Sequence, residues 1–208
     1  MSAHLDEKSP HVKARTVAQA GVIAAVYAAL TFLVIQFMSV FSFGIVQFRL
    51  SEALTVVACL TPAAIPGLFI GSALANLSSV AAFGAIGLFD VVFGSVGSLL
   101  GAVWTWHFRK RTGLALLGPV IFNALIVPVY LPLMLGASGL TTIPALGITG
   151  SSPWIVLYLA GVVGVGVGQA VVVYGLGWPL LTVLRRMRLP GLSDEAYGTG
   201  DSGGATKA

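Results

Sequence analysis

Few residues in this chain can do polar chemistry, and they are unevenly placed. Arg49 and Glu52 stand three positions apart in Gln47-Phe48-Arg49-Leu50-Ser51-Glu52-Ala53-Leu54, within an otherwise apolar stretch. That spacing puts a cation and a carboxylate on one face of a helix, one turn apart. Between residues 16 and 184 the only other strongly ionisable groups are Asp90 and the run Arg109-Lys110-Arg111. Asn76, Asn123 and Gln169 add amide side chains along the same region. A carboxylate in apolar surroundings accepts paired N–H donors from a ligand, and an amide offers both a donor and an acceptor. Charge inside an apolar span costs about 2.5–3.5 kcal/mol on insertion scales, so each such group is a candidate site residue.

Each also has a plain structural role to weigh. Arg49 with Glu52 can be a local ion pair at a membrane interface. Asp90 can be an N-terminal acid favoured by a helix dipole, and Asn123 an interhelical hydrogen bond. Trp154, Tyr130 and Tyr158 fit an aromatic belt or packing. Cys59 reads as a small apolar side chain. What these roles leave unexplained is why the groups gather on one side of the membrane.

Patterns for catalysis are lacking. Lys8, Lys13, Lys110 and Lys207 are the only lysines and none lies in a G-x-x-x-x-G-K-[ST] loop, so the chain itself does not cradle ATP phosphates. There is no H-E-x-x-H. His4, His11 and His107 fall at ends expected to be cytoplasmic, away from the acids. One cysteine forms no internal disulfide, and no Cys/His spacing suits zinc or an iron–sulfur cluster. The chain reads as a non-enzyme with no cofactor of its own.

The elements that must position these groups are apolar helices. Of 208 residues 57% are hydrophobic and 9% charged, against roughly 25% charged in a soluble domain, and the mean hydropathy is +0.96. The net charge of +4 reflects basic residues flanking apolar spans, as the positive-inside rule requires, rather than a nucleic-acid surface. Residues 1–15 form a polar tail. Residues 17–38 make a first span of about 22 residues, roughly 33 Å at 1.5 Å per residue. Residues 39–50 suit a surface loop, a candidate lid. Ser51 caps a second, short span reaching Leu60. A third runs over 66–80, a fourth over 88–108, a fifth over 114–135 and a sixth over 154–184. Short, Pro- and Gly-broken spans at 51–60 and 66–80 point to a covered cavity. Residues 80–87 and 136–152 are loops, and the segment from residue 189 is expected to be a disordered tail. The three basic clusters share the cytoplasmic side only if even numbers of spans separate them, and six spans satisfy this. Both termini are then cytoplasmic, 16–188 is one membrane domain, and Arg49, Glu52, Asn76 and Asp90 converge on the outer half, with Asn123 near mid-depth, Tyr130 higher and Gln169 deeper down. In the first span, Ala20, Ala24 and Ala28 form one small-residue row and Gly21, Ala25 and Ala29 the next, a spacing that permits close helix contact.

Three segments in order, residues 46–54, Thr61-Pro62-Ala63-Ala64-Ile65-Pro66-Gly67-Leu68-Phe69-Ile70-Gly71 and Asp90-Val91-Val92-Phe93-Gly94-Ser95, resemble the QueT family, as does Phe122-Asn123-Ala124. The resemblance spans about residues 15–185. It implies a substrate-binding S component of an energy-coupling factor importer for queuosine precursors, in the bacterial plasma membrane. Such a component is an all-α six-helix bundle that captures a small molecule at the outer face. It then docks on a coupling transmembrane subunit driven by two ATPase subunits, which use the ATP. The resemblance places docking on a small-residue row of the first helix, either Ala20, Ala24 and Ala28 or Gly21, Ala25 and Ala29, and closure on the loop before Leu50. For a 7-deazaguanine base, Glu52 or Asp90 would take the donor edge and Asn123 or Gln169 the carbonyl or pyrrole side. Phe43, Phe48 or Trp154 would stack on the ring. Asn76 and Gln47 join the candidate set, and Arg49 is assigned to hold the loop and orient Glu52. Alternatives are an S component for another vitamin or nucleobase, or a membrane interaction protein without transport.

Overall fold

The computed structural model describes residues 10–43, 47–138, 147–149 and 151–187, with the backbone alone at 10–13 and 38–43. The tail at residues 1–9, residues 44–46 of the candidate lid, the Phe43 side chain, residues 139–146 and 150 of the long loop, and the C-terminal tail lie outside this description.

Helix α1 (Pro10–Phe43) has 34 residues, about 51 Å at 1.5 Å per residue. It runs past the loop boundary expected at Ser39. The five residues from Ser39 to Phe43 contain neither Gly nor Pro, and Gly44 is the first helix-breaking residue after them. After an extended stretch at 47–49 comes Leu50–Cys59, ten residues of 3₁₀ helix, long for that conformation. At three residues per turn, Glu52, Thr55 and Ala58 stack on one face, and all three are fully buried. The Thr55 hydroxyl donates to the Glu52 carbonyl at 2.7 Å. Ser51 does not cap this helix: Leu50 begins it, no side chain caps it, and the Ser51 hydroxyl lies 2.7 Å from that of Thr31. Contacts of Tyr27 with Glu52, Thr31 with Ser51 and Gln19 with Thr61 make it antiparallel to α1.

Thr61-Pro62 ends that helix, because the residue before a proline is pushed out of helical geometry. Helix α2 (Ala64–Phe83) begins two residues before the expected Pro66 and runs three past Val80. Pro66 falls in its first turn, where its missing N–H would have had no partner. α2 runs parallel to α1, Gly67 lying against the Ala20 carbonyl and Gly71 against that of Ala24. Such close backbone approach is what holds helices together in lipid.

Gly84 closes α2 at φ 65°, a conformation that favours glycine. A short turn (Gly84–Gly87) and a π-helical turn (Asp90–Gly94) lead into α3 (Ser95–His107), antiparallel to α2. α4 (Thr112–Ala115) precedes α5 (Leu117–Ser138), antiparallel to α3, with Pro119 on Gly101, Asn123 on Gly97 and Tyr130 on Asp90. α6 (Trp154–Val172), a second π-helical turn (Val173–Gly177) and α7 (Trp178–Arg186) return along α5, with Pro128 on Gly161 and Ala124 on Gly166. α5 is helical three residues beyond the expected end of the fifth span.

Ala14–Phe37, Ala64–Gly87, Thr112–Gly136 and Trp154–Arg186 are long and apolar enough to cross a membrane, and Leu50–Cys59 is a shorter apolar helix. The surface is apolar: Val22, Leu33, Leu77, Val129, Leu159 and Val163 are all exposed. The interior carries the polar groups, with Glu52, Asp90, Asn123 and Gln169 at 0, 1, 1 and 2% exposure. This inversion suits a hydrocarbon surround, where internal partners must satisfy polar groups. Basic side chains collect at one end, Arg185 donating to the Thr112 hydroxyl at 3.1 Å and Arg109 lying 3.9 Å over the Trp106 ring. Arg49, Asn76 and Asp90 meet at the other.

Candidate functional site

Two polar clusters lie inside the bundle. The one nearer the surface is built on Asp90, the first residue of the π-helical turn. Arg49 Nη2 donates to Oδ1 and Oδ2 of Asp90 at 3.0 and 2.9 Å, Ser79 donates to Oδ2 at 2.5 Å, and Tyr130 donates to Oδ1 at 2.7 Å. Asn76 Oδ1 takes Arg49 Nη1 at 3.2 Å, while its Nδ2 donates to the Asp90 carbonyl at 2.8 Å. Both carboxylate oxygens are therefore occupied by donors from three elements. Gly94 makes room for the group, since a Cβ there would sit 2.7 Å from Asp90 Oδ1 and 2.8 Å from Asn76 Nδ2.

The pairing departs from the sequence-based expectation. Arg49 and Glu52 do not form a couple on one helix face, because Arg49 precedes the helix in an extended conformation (φ −84°, ψ 91°) and its guanidinium reaches Asp90 instead. Arg49 thus fixes Asp90, and Glu52 is oriented by other residues.

Glu52 defines the deeper cluster. Its Oε1 accepts the Tyr27 hydroxyl at 2.6 Å and the Ser98 hydroxyl at 3.0 Å. Its Oε2 is buried without a hydrogen-bond partner. Asn123 approaches Glu52, yet neither its Oδ1 nor its Nδ2 has a partner within hydrogen-bond geometry. The Asn123 amide lies against Gly97, where a Cβ would stand 2.6 Å from Oδ1. In the register set by Ala124 against Gly166, Gln169 sits about 3 Å, roughly half a helical turn, from the level of Asn123. Gln169 Oε1 is likewise buried and unpartnered. Leaving such atoms unpaired costs about 1–3 kcal/mol each, so several at one level mark the place where a polar ligand would be stabilised.

Space at this end is tight. A cavity of about 20 Å³ lined by Thr31, Arg49, Ser51, Asn76, Ser79 and Asp90 among others holds one water at most. Residues 47–49 lie across the bundle, and the Gln47 backbone packs so closely on Gly168 that a Cβ there would overlap its carbonyl oxygen.

The structure brings Arg49, Asn76 and Asp90 together, places Glu52 near Asn123, and puts Gln169 about half a turn away. Gln47 is buried in the strap above them. Trp154 is elsewhere: it is 49% exposed and stacks on Tyr158 at 5.1 Å. Tyr27, Ser72, Ser79 and Ser98 are site residues that motif reading passed over, as was the bond from Tyr130 to Asp90. Tyr27 and Thr31 continue the face of Ala20 and Ala24 at helical spacing, a signal hidden in an alanine-rich helix. The two small-residue rows of α1 also separate. Ala20, Ala24 and Ala28 are buried within the chain, whereas Gly21, Ala25 and Ala29 are exposed. Among the described residues no cluster of three or more His, Cys, Asp or Glu could hold a metal.

An apolar exterior around a charged, hydrogen-bonded interior, carried on several membrane-length helices, defines a multi-pass membrane protein. The chain belongs to the QueT transporter family, whose model matches residues 17–186. Comparison with curated proteins and with solved structures gives no match.

Proposed function

We propose that this chain is the substrate-capturing S component of an energy-coupling factor importer in the bacterial plasma membrane, taking up a 7-deazaguanine precursor of queuosine. In this reading the chain makes six traverses with both termini cytoplasmic. A coupling transmembrane subunit and two ATPase subunits supply the energy from ATP, and this chain contributes no catalysis. The Arg49 end faces outward, and the basic end bearing Arg109, Lys110, Arg111, Arg185 and Arg186 faces the cytoplasm, in keeping with the positive-inside rule.

The observation that carries the reading is the contrast between two buried carboxylates. Asp90 is saturated by Arg49, Ser79 and Tyr130. Glu52 keeps Oε2 unpartnered, and the carboxamide of Asn123, which approaches the Glu52 carboxyl, is also unpartnered. Of the two, Glu52 therefore takes the donor edge of the base, Asn123 and Gln169 meet its lactam or pyrrole side, and Asp90 serves the frame. Arg49, Asn76 and Gln47 hold the strap above the site, and this strap must shift for a base to reach Glu52. For docking on the coupling subunit, the exposed row Gly21, Ala25 and Ala29 is the one presented on α1.

Uptake of a labelled 7-deazaguanine precursor by cells expressing this chain, with and without a coupling subunit and its ATPases, tests the assignment. Accumulation only with the partners is expected. Accumulation without them, or none in either case, contradicts it.

A further inference from the structure

Tyr27 and Ser98, neither of which belongs to the motifs above, share one oxygen of Glu52. The Tyr27 hydroxyl reaches Oε1 at 2.6 Å and the Ser98 hydroxyl at 3.0 Å, while Oε2 receives nothing. Both donors are themselves fixed. Tyr27 is fully buried among Val57, Ala58 and Leu68, and Gly71 packs on its Cβ. Ser98 Oγ lies 3.1 Å from Ser72 Oγ. A serine has one hydroxyl proton, so with Ser98 donating to Glu52 Oε1 the proton between the two serines is that of Ser72, bridging to Ser98. Ser72 in turn is 3.4 Å from Asn76 Nδ2, and Asn76 takes Arg49 on its other amide atom. Arg49, Asn76, Ser72 and Ser98 thus each give one hydrogen bond along a row that ends on a single carboxylate oxygen of Glu52, while Arg49 Nη2 and the Asn76 amide also serve Asp90.

We propose that Tyr27 and Ser98 are positioning residues for ligand capture: they occupy Glu52 Oε1 so that a ligand meets Oε2 alone, with the unpartnered Asn123 carboxamide near the same carboxyl group. This rests on the assignment of Glu52 to the ligand. The site then offers one acceptor from Glu52, and one acceptor and one donor from Asn123. A base edge ordered amine, ring N–H, carbonyl satisfies all three. An analogue lacking the exocyclic amine keeps the Asn123 contacts and loses the one to Glu52.

The test is titration of the purified full chain with 7-aminomethyl-7-deazaguanine and with its analogue lacking the 2-amino group. Wild type, Tyr27→Phe and Ser98→Ala are compared, each also in a Glu52→Gln background, with unfolding midpoints measured alongside. Each single change is expected to lower affinity for the amine-bearing base about tenfold, the scale of a disturbed bond to a charged group, and to leave the analogue within about twofold. In the Glu52→Gln background both changes are expected to have no further effect. Equal losses for the two ligands, losses undiminished by Glu52→Gln, or wild-type affinity in both variants would overturn the positioning role. Failure of wild type to bind either base would instead overturn the assignment beneath it. Ser98→Ala, the smaller change, carries the comparison if Tyr27→Phe does not fold.

Discussion

The guanidinium of Arg49 grips the carboxylate of Asp90, forty-one residues further along the chain, at 2.9 and 3.0 Å, and leaves Glu52 to other partners. This one pairing joins the strap at 47–49 to the start of the π-helical turn. It also divides the two buried acids into one that is fully partnered and one that is not.

Breaking that pair from one side leaves a buried charge uncompensated. Arg49→Ala or Asp90→Ala is expected to destabilise the protein by about 3–5 kcal/mol, and removal of both charges together to cost less than either alone. Unfolding in detergent of the two single variants and the Arg49→Ala/Asp90→Ala double variant measures the difference. Additive losses in the double variant would show that the pair is not coupled.

Glycines around the site separate fit from stability. A Cβ at Gly97 would meet only the amide tip of Asn123, at 2.6 Å, and that side chain can turn aside. Gly97→Ala is thus expected to cost less than about 1 kcal/mol in stability while weakening ligand binding, because it displaces Asn123. At Gly168 the obstacle is the Gln47 backbone. Gly168→Ala is expected to cost about 1–3 kcal/mol, since the strap itself must move. Parallel measurements of unfolding and of ligand affinity distinguish the two patterns.

The rows of α1 are expected to respond oppositely. Ala24 is buried against Gly71, so Ala24→Leu overpacks the α1–α2 contact and is expected to destabilise by about 1–3 kcal/mol. Ala25 is exposed, so Ala25→Leu is expected to leave unfolding and ligand affinity unchanged and to impair uptake only in cells that carry the coupling module. Normal uptake by Ala25→Leu would move the docking surface away from this row.

Much of this arrangement was legible in the sequence, for identifiable reasons. The rarity of charge marked Arg49, Glu52 and Asp90, since a carboxylate or guanidinium in an apolar span needs a partner. Spacing alone could not say which partner. Arg49 lies just before its helix rather than within it, so the one-turn rule fails there. The convergence of Arg49, Asn76 and Asp90 at one end followed from alternating directions, which charge placement at the opposite end already constrains. Tyr27, Ser72, Ser79 and Ser98 were not visible, because small hydroxyls and a lone tyrosine are ordinary in membrane helices. Only the close α1–α2 and α2–α3 contacts turn them inward as donors. Trp154 could not be placed from sequence, because a membrane aromatic can serve a pocket or a surface; in the structure it is half exposed and stacks on Tyr158.

Equilibrium titration of the purified chain with 7-aminomethyl-7-deazaguanine, comparing wild type with Glu52→Gln at matched folding, reaches the central claim most directly. Loss of a charge-assisted bond at Oε2 is expected to weaken binding about 10- to 100-fold in Glu52→Gln. Wild-type affinity in Glu52→Gln would contradict the account.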